Sequence, residues 1–281
     1  MSDIEILREW YEQQKHLPKI PDQFLVWFVH SNYYSLELAK TTIEKFYTTR
    51  THVPEFFSNR DALGNKDMRH TFTVGCTVPL PGETKEGYRL LFSKLLDPEP
   101  SHYVFNDIFK YFLMVSELYL LQCGFSEGVV FITDAKDFSL GHLGRSSPMD
   151  LKKFMYYVQE CAPIRLKGIH IVNVPPAVEL LLNMIKPFIK MELMNLIKLH
   201  TTVSSLEGHV PMEFLPTEYG GKAGPIPELH KKYIKELEDK RNYFLQDEAE
   251  MRVVESLRVG KNKTASDLFG VEGTFKKLEI D

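Results

Sequence analysis

An excess of positive charge is missing from this chain: 34 Lys and Arg face 38 Asp and Glu, a formal net charge of −4 at pH 7. Counterion release from a phosphate backbone has little to work with, so nucleic acid is not an expected partner. Cysteine is scarce. Cys76, Cys123 and Cys161 lie too far apart for a local metal-ligand pair, and an odd number fits reduced thiols better than a disulfide framework. Long apolar runs are absent too. The longest stretch free of Lys, Arg, Asp and Glu, Gln23 to Leu36, contains Ser31 and Asn32 and falls short of the ~20 apolar residues of a membrane span. MSDIEILREW carries acids where a secretory signal needs a basic end, so a cytoplasmic location is expected. No G-x-G-x-x-G, G-x-x-x-x-G-K-[ST] or H-E-x-x-H occurs, which leaves dinucleotide, phosphate-loop and zinc-protease chemistry without a handle. No cofactor and no metal are expected.

What is present divides the 281 residues into three. Residues 1–57 read as a helical module: Phe24, Trp27 and Phe28 stand at i, i+3, i+4, followed by Leu36, Ala39, Ile43 and Phe46, and HLPKIPDQ forces a turn between helices. Residues 70–225 alternate strand-like runs with amphipathic segments, the pattern of an α/β sheet. GVVFITD and GIHIVN are the clearest strands, TFTVGCTV and YRLLFSKLL weaker ones, and KLHTT a short edge. Between the two clear strands, Ser147 as N-cap, Pro148 at the first helical position and Asp150 in the first turn open a helix. Its Leu151, Phe154, Met155 and Val158 form one face, completing a βαβ unit. Residues 226–281 hold a charged helix from about His230.

GFSEG, Gly124 to Gly128, matches the G-x-S-x-G of a hydrolase nucleophile elbow. That elbow follows a strand and opens a helix. Here the order is reversed, so Gly124 reads as the C-cap of the helix starting near Asn106 and Ser126 as a loop residue. An enzyme is not expected. His142 and His170 have no partner at ligand spacing and read as structural histidines.

The remaining oddity is greasy helices. Ile108, Phe109, Phe112, Leu113, Val115, Leu118, Tyr119 and Leu121 cover nearly the whole circumference of one, which is therefore buried all round or lines a cavity. NVPPAVELLLNMIKPFIKMELMNLIKLH keeps a polar stripe of Glu179, Asn183, Lys186 and Lys190 opposite Val178, Leu181, Leu182, Ile185 and Ile189, and Pro187 breaks it at a cost of roughly 3 kcal/mol. A core helix or a lid both satisfy that pattern.

Taken in order, LREWYEQQKHLP, DQFLVWFVHSNYYSLELAKTTIEKF, PLPGETKEGYRLLFSKLLDPEPSHY, FITDAKDFSLGHLGRSSPMDLKKFMYYVQECAPIRLKGIHIVNVPP, IKPFIKMEL and FLPTEYGGK resemble the CRAL-TRIO lipid-transfer family, in its α-tocopherol transfer and retinaldehyde-binding branch. The tail FGVEGTFKKLEID is similar to the C-terminus of insect members. The resemblance implies a mostly parallel sheet floor with flanking helices, and a monomeric cytosolic carrier of one tocopherol-, retinoid- or other isoprenoid-like molecule; a sterol, terpenoid hormone or fatty acid also suits. Burying roughly 300 to 400 Å2 of ligand at about 25 cal/mol per Å2 supplies roughly 8 to 10 kcal/mol before binding costs. By position the implied pocket walls are Phe112, Val115, Val129, Phe131, Phe154, Val158, Ile169, Ile171, Val178, Leu181 and Ile185, with Pro187 and Phe188 on a mobile gate. A non-transferring scaffold on the same fold is the rival.

The resemblance also implies transient membrane contact through a phosphoinositide-binding basic patch. Arg165 and Lys167 match two of its positions, Glu192 and Leu196 replace two others, and Lys190 stands near enough to substitute. A phosphatidylinositol cargo is disfavoured, because Lys186 matches the family's gate lysine while Lys152 to Gln159 offers no acid to join it.

Overall fold

The computed structural model describes residues 2–270, so most of the C-terminal pattern likened to insect members lies outside the described residues. The chain opens with α1 (Asp3–Gln13), α2 (Asp22–Ser31) and α3 (Leu36–His52), then two short helices, α4 (Pro54–Phe57) and α5 (Lys66–Val74). The caps are local chemistry: the Ser2 hydroxyl accepts from the Glu5 amide in a capping box, and the Asn65 side chain accepts from the amides of Asp67 and Met68. Leu7, Tyr11, Leu25, Phe28, Ile43 and Tyr47 bury a separate core for this lead module.

The sheet follows: β1 (Gly75–Glu83), β2 (Tyr88–Leu95), α6 (Phe105–Cys123), β3 (Gly128–Asp134), α7 (Leu140–Leu143), α8 (Pro148–Tyr156), β4 (Leu166–Val172), α9 (Pro176–Ile185), α10 (Met191–Met194) and β5 (Ile197–His200). Its spatial order is the chain order, antiparallel between β1 and β2 and parallel elsewhere. TFTVGCTV is divided: its first half completes α5, capped by Asn65, and the strand begins at Gly75. The helix expected to start near Asn106 begins at Phe105 with Val104 as its N-cap, and the Asn106 side-chain amide donates to Asp150 of α8 instead of capping it. Gly124 closes α6 at φ 68, a conformation that favours glycine.

Ser147 caps α8 as expected, but its end runs into a π turn, Tyr157–Cys161, closed by the Ala162 amide donating to the Tyr157 carbonyl. Such turns rotate the following side chains relative to an α-helix and gather at functional sites. The charged C-terminal helix is two, α11 (Ile226–Asp239) and α12 (Arg241–Glu250), before α13 (Ala265–Phe269).

Alternation along the strands gives the sheet two faces. Val78, Leu80, Leu90, Phe92, Val130, Ile132 and Val172 point to a back core closed by Leu206, Val210, Leu215 and Ile226. Val129, Phe131, Ile169 and Ile171 lie on the front, with Phe131 paired to Ile169 in register.

Candidate functional site

The front face meets α6, the π turn and the lead module around a narrow, partly open apolar cavity. Its walls are rich in aromatic rings, Phe24, Trp27, Phe28 and Phe46 from α2 and α3, Phe112 from α6 and Phe131 from the sheet, with the aliphatic Val158 from the π turn. A smaller recess, lined by Val129, Leu91 and Tyr119, adjoins it and shares Ser116, Leu120, Phe131, Pro163 and Ile164. Phe112 and Phe131 meet edge to face, with ring centroids 5.0 Å apart.

One wall is charged. Arg50, Glu117 and Asp247 line the cavity and belong to a buried network with Arg60, whose Nη1 donates to Asp247 Oδ2 and Nη2 to Glu117 Oε2, both at 2.6 Å. Arg50 donates to the same Asp247 oxygen, while its contacts to Glu117 stretch to 3.4–3.5 Å. Tyr243 donates to Glu117 Oε1 at 2.7 Å. Burial would raise the Glu117 carboxyl, but Arg50 and Arg60 outweigh it and hold it down at about 2. The Arg50 guanidinium sits 4.9 Å from the ring centroids of both Phe46 and Phe57. Sequence reading missed this network because its members are spread from position 50 to 247.

The sequence-derived site residues separate into groups. Phe112, Phe131 and Val158 line the cavity, and Val129 and Phe131 the recess. Phe154, Ile169, Leu181, Ile185 and Phe188 belong to a packed cluster with Leu151, Met155 and Leu193, where α9 and α10 rest on α8. Val178 is buried, and Ile171 is half-buried on the front face. Val115 points elsewhere: the rest of α6's circumference packs against the C-terminal helices, and Val115 joins Phe72, Leu118, Leu237 and Phe244 there.

Pro187 does break its helix. α9 ends at Ile185, Pro187 lies in the turn that follows, and α10 restarts after Lys190. The turn is fastened by the π segment: Gln159 Nε2 donates to the Phe188 carbonyl at 2.9 Å and Gln159 Oε1 accepts from the Lys190 amide at 2.5 Å. Beside it Glu160 pairs with Lys190 and, at 2.5 Å, with Lys45 of α3. The acid absent from Lys152 to Gln159 thus arrives one residue later and serves this contact.

Arg165 is 8% exposed, its Nε donating to the His30 carbonyl at 2.9 Å, its Nη1 bridging to Glu127 at 3.1 Å, and its guanidinium 4.4 Å from the Tyr33 ring centroid. Lys167 donates to the Tyr33 hydroxyl at 2.9 Å, and Lys190 is exposed. Arg165 and Lys167 therefore hold the end of α2 against the sheet.

Ser126 lies between α6 and β3, its hydroxyl donating to the Gly128 carbonyl at 2.8 Å, with no strand-to-helix elbow around it. His142 is held by Ser139 and stacked on Phe138. His170 does have partners, brought by topology: its Nδ1 is 2.9 Å from His200 Nε2, and His209 packs against both rings. Since Ser205 spends its proton on the Thr202 carbonyl, it accepts from His200 Nδ1, and His170 is then the donor to His200. No group of His, Cys, Asp and Glu suited to a metal ion occurs among the described residues, and no helix there is long and apolar enough to cross a membrane.

Fold and site together define an α/β protein built around an apolar cavity beneath a mostly parallel sheet. Residues 74–221 match the sequence model of the CRAL/TRIO domain, and residues 1–66 that of the Pinta-like UBA domain. The chain belongs to the CRAL/TRIO domain family. It is 29% identical over 232 residues to an alpha-tocopherol transfer protein-like protein of Mus musculus, covering 80% of this chain and 66% of that one. It is 26% identical over 209 residues to Clavesin-1 of Rattus norvegicus, covering 73% and 58%. The chain thus spans less than two thirds of the length of these relatives. The crystal structure of Sfh5 aligns over 81% of each chain at 14% identity, with a TM-score of 0.48.

Proposed function

We propose that this protein binds one small hydrophobic molecule, of tocopherol, retinoid or other isoprenoid type, and carries it between membranes through the cytosol as a monomer. The observation that supports this reading most is the aromatic cavity on the front of the sheet, in a chain of the CRAL/TRIO family. Residues 1–57 act as a lid over the cavity, 70–225 as the carrier body, and α11 and α12 of the 226–281 section as a brace behind α6. The segment from α9 to α10 serves as gate, with Pro187 and Phe188 at its turn.

Membrane contact is transient on this reading. Of the residues carried over as a phosphoinositide patch, Lys190 is exposed, whereas Arg165 is buried under α2. Liposome flotation with and without phosphoinositide tests the point: a dependence that Lys190→Ala abolishes supports headgroup docking there, and equal binding in both sinks it.

One observation favours a non-transferring scaffold instead: Leu181, Ile185 and Phe188 are packed against Leu151 and Met155. Mass spectrometry of an organic extract of the purified full-length protein separates the two. An isoprenoid-class lipid at about one per chain is the expected result, and a protein free of lipid that takes up none from vesicles contradicts carriage.

A further inference from the structure

We propose that the recess is a side mouth of the cavity with Phe125 as its door, so that a hydrophobic ligand enters and leaves between α2 and the α6–β3 loop as well as past the α9–α10 segment. The inference rests on the carriage reading and adds a route to it.

The lining of the two spaces points this way. None of the residues lining the cavity or the recess comes from α9 or α10; Leu181, Ile185 and Phe188 lie instead in the cluster with Leu151 and Met155. A swing of that segment uncovers packed side chains before it reaches open space. The recess is continuous with the cavity through Ser116, Leu120, Phe131, Pro163 and Ile164. Among the described residues that line the two spaces, Phe125 is the only exposed one, at 49%. Where it stands, the apolar interior comes to the surface.

The mouth has a fixed side and a movable one. His30 is buried at the end of α2, its carbonyl accepts from Arg165 Nε at 2.9 Å, and Tyr34 meets its ring edge to face. That side is anchored to the sheet. Opposite, residues 124–127 link α6 to β3 and are tied at both ends: Arg89 donates to the carbonyls of Cys123 and Gly124 at 2.9 and 2.7 Å, and Glu127 pairs with Arg165 at 3.1 Å. Between these ties Phe125 closes the gap by stacking on His30, with ring centroids 4.4 Å apart and planes at 28°. One such stack is a weak latch, worth a factor of a few to about ten in an equilibrium constant. Turning out one exposed ring is also far quicker than moving a helix pair. With the ring out, Tyr119 and Val129 are uncovered, and behind them the way to Phe131.

Stopped-flow fluorescence of retinol with the full-length protein tests this, association being followed on mixing and release into excess vesicles. Phe125→Ala is expected to speed association and release alike, about fivefold, with Kd unchanged, because a wider door eases passage in both directions. A residue that were only wall would move release and Kd and leave association alone. Should the alanine variant fail to fold, Phe125→Leu keeps apolar cover while losing the stack, and both of its rates are expected to rise. Unchanged rates, or faster release without faster association, overturn the side mouth while leaving carriage intact. If the wild type binds no retinol, carriage falls and this inference with it.

Discussion

At the scale of single residues, chemistry follows burial. Cys76 and Cys161 are buried and their thiols are pushed up to about 12 by desolvation, whereas Cys123 is exposed at the end of α6. Iodoacetamide at pH 8 should therefore add one label to the native protein, at Cys123, and three after denaturation; more than one native adduct would show that the cores open. His170 is lowered from 6.5 to about 4, by burial first and then by His200, His209 and Lys198 facing it. An unfolded chain binds that proton near 6.5, so the folded state loses stability as pH falls from 6.5 toward 4, by about 2 kcal/mol between pH 7 and pH 5. Urea unfolding at both pH values should show this loss in the wild type and a smaller one in His170→Phe. His170 was legible only as a strand residue, because its partners arrive from β5 and the turn after it.

At the scale of elements, the gate is held by its neighbour more than by itself. Gln159 makes two hydrogen bonds to backbone flanking Pro187, and Glu160 ties Lys190 to Lys45. Gln159→Leu should speed release of bound retinol about tenfold, at a cost near one hydrogen bond's worth or two, and Glu160→Ala by less, since its partner Lys190 is exposed. Stopped-flow release into excess vesicles measures both, and unchanged rates would make the segment a wall. Arg165→Ala should lower stability by about 2 kcal/mol through the lost contacts to His30, Glu127 and Tyr33, with vesicle binding little altered; thermal unfolding and flotation report the two separately. Strands such as Gly128 to Asp134, the Ser147 cap and the Pro187 break were legible because they depend on local pattern. The π turn was not, since nothing in YVQEC distinguishes it from a last α turn.

At the scale of the whole molecule, period-2 alternation was enough to place Val129, Phe131, Ile169 and Ile171 on one face, while the open space in front of them lies nearer the lead module than the resemblance implied. Phe24, Trp27, Phe28 and Phe46 read as the core of a small helical module, and they are also cavity wall. How two modules meet is set by long-range contacts such as Arg50 with Asp247, which leave no periodic trace. The central claim is that this cavity carries a hydrophobic molecule. Transfer of retinol from donor to acceptor vesicles tests it most directly, with the wild type set beside Val158→Trp, which fills the cavity from the π turn. The account predicts protein-dependent transfer that the filled variant loses while remaining folded; equal transfer by both, or none by the wild type, would contradict it.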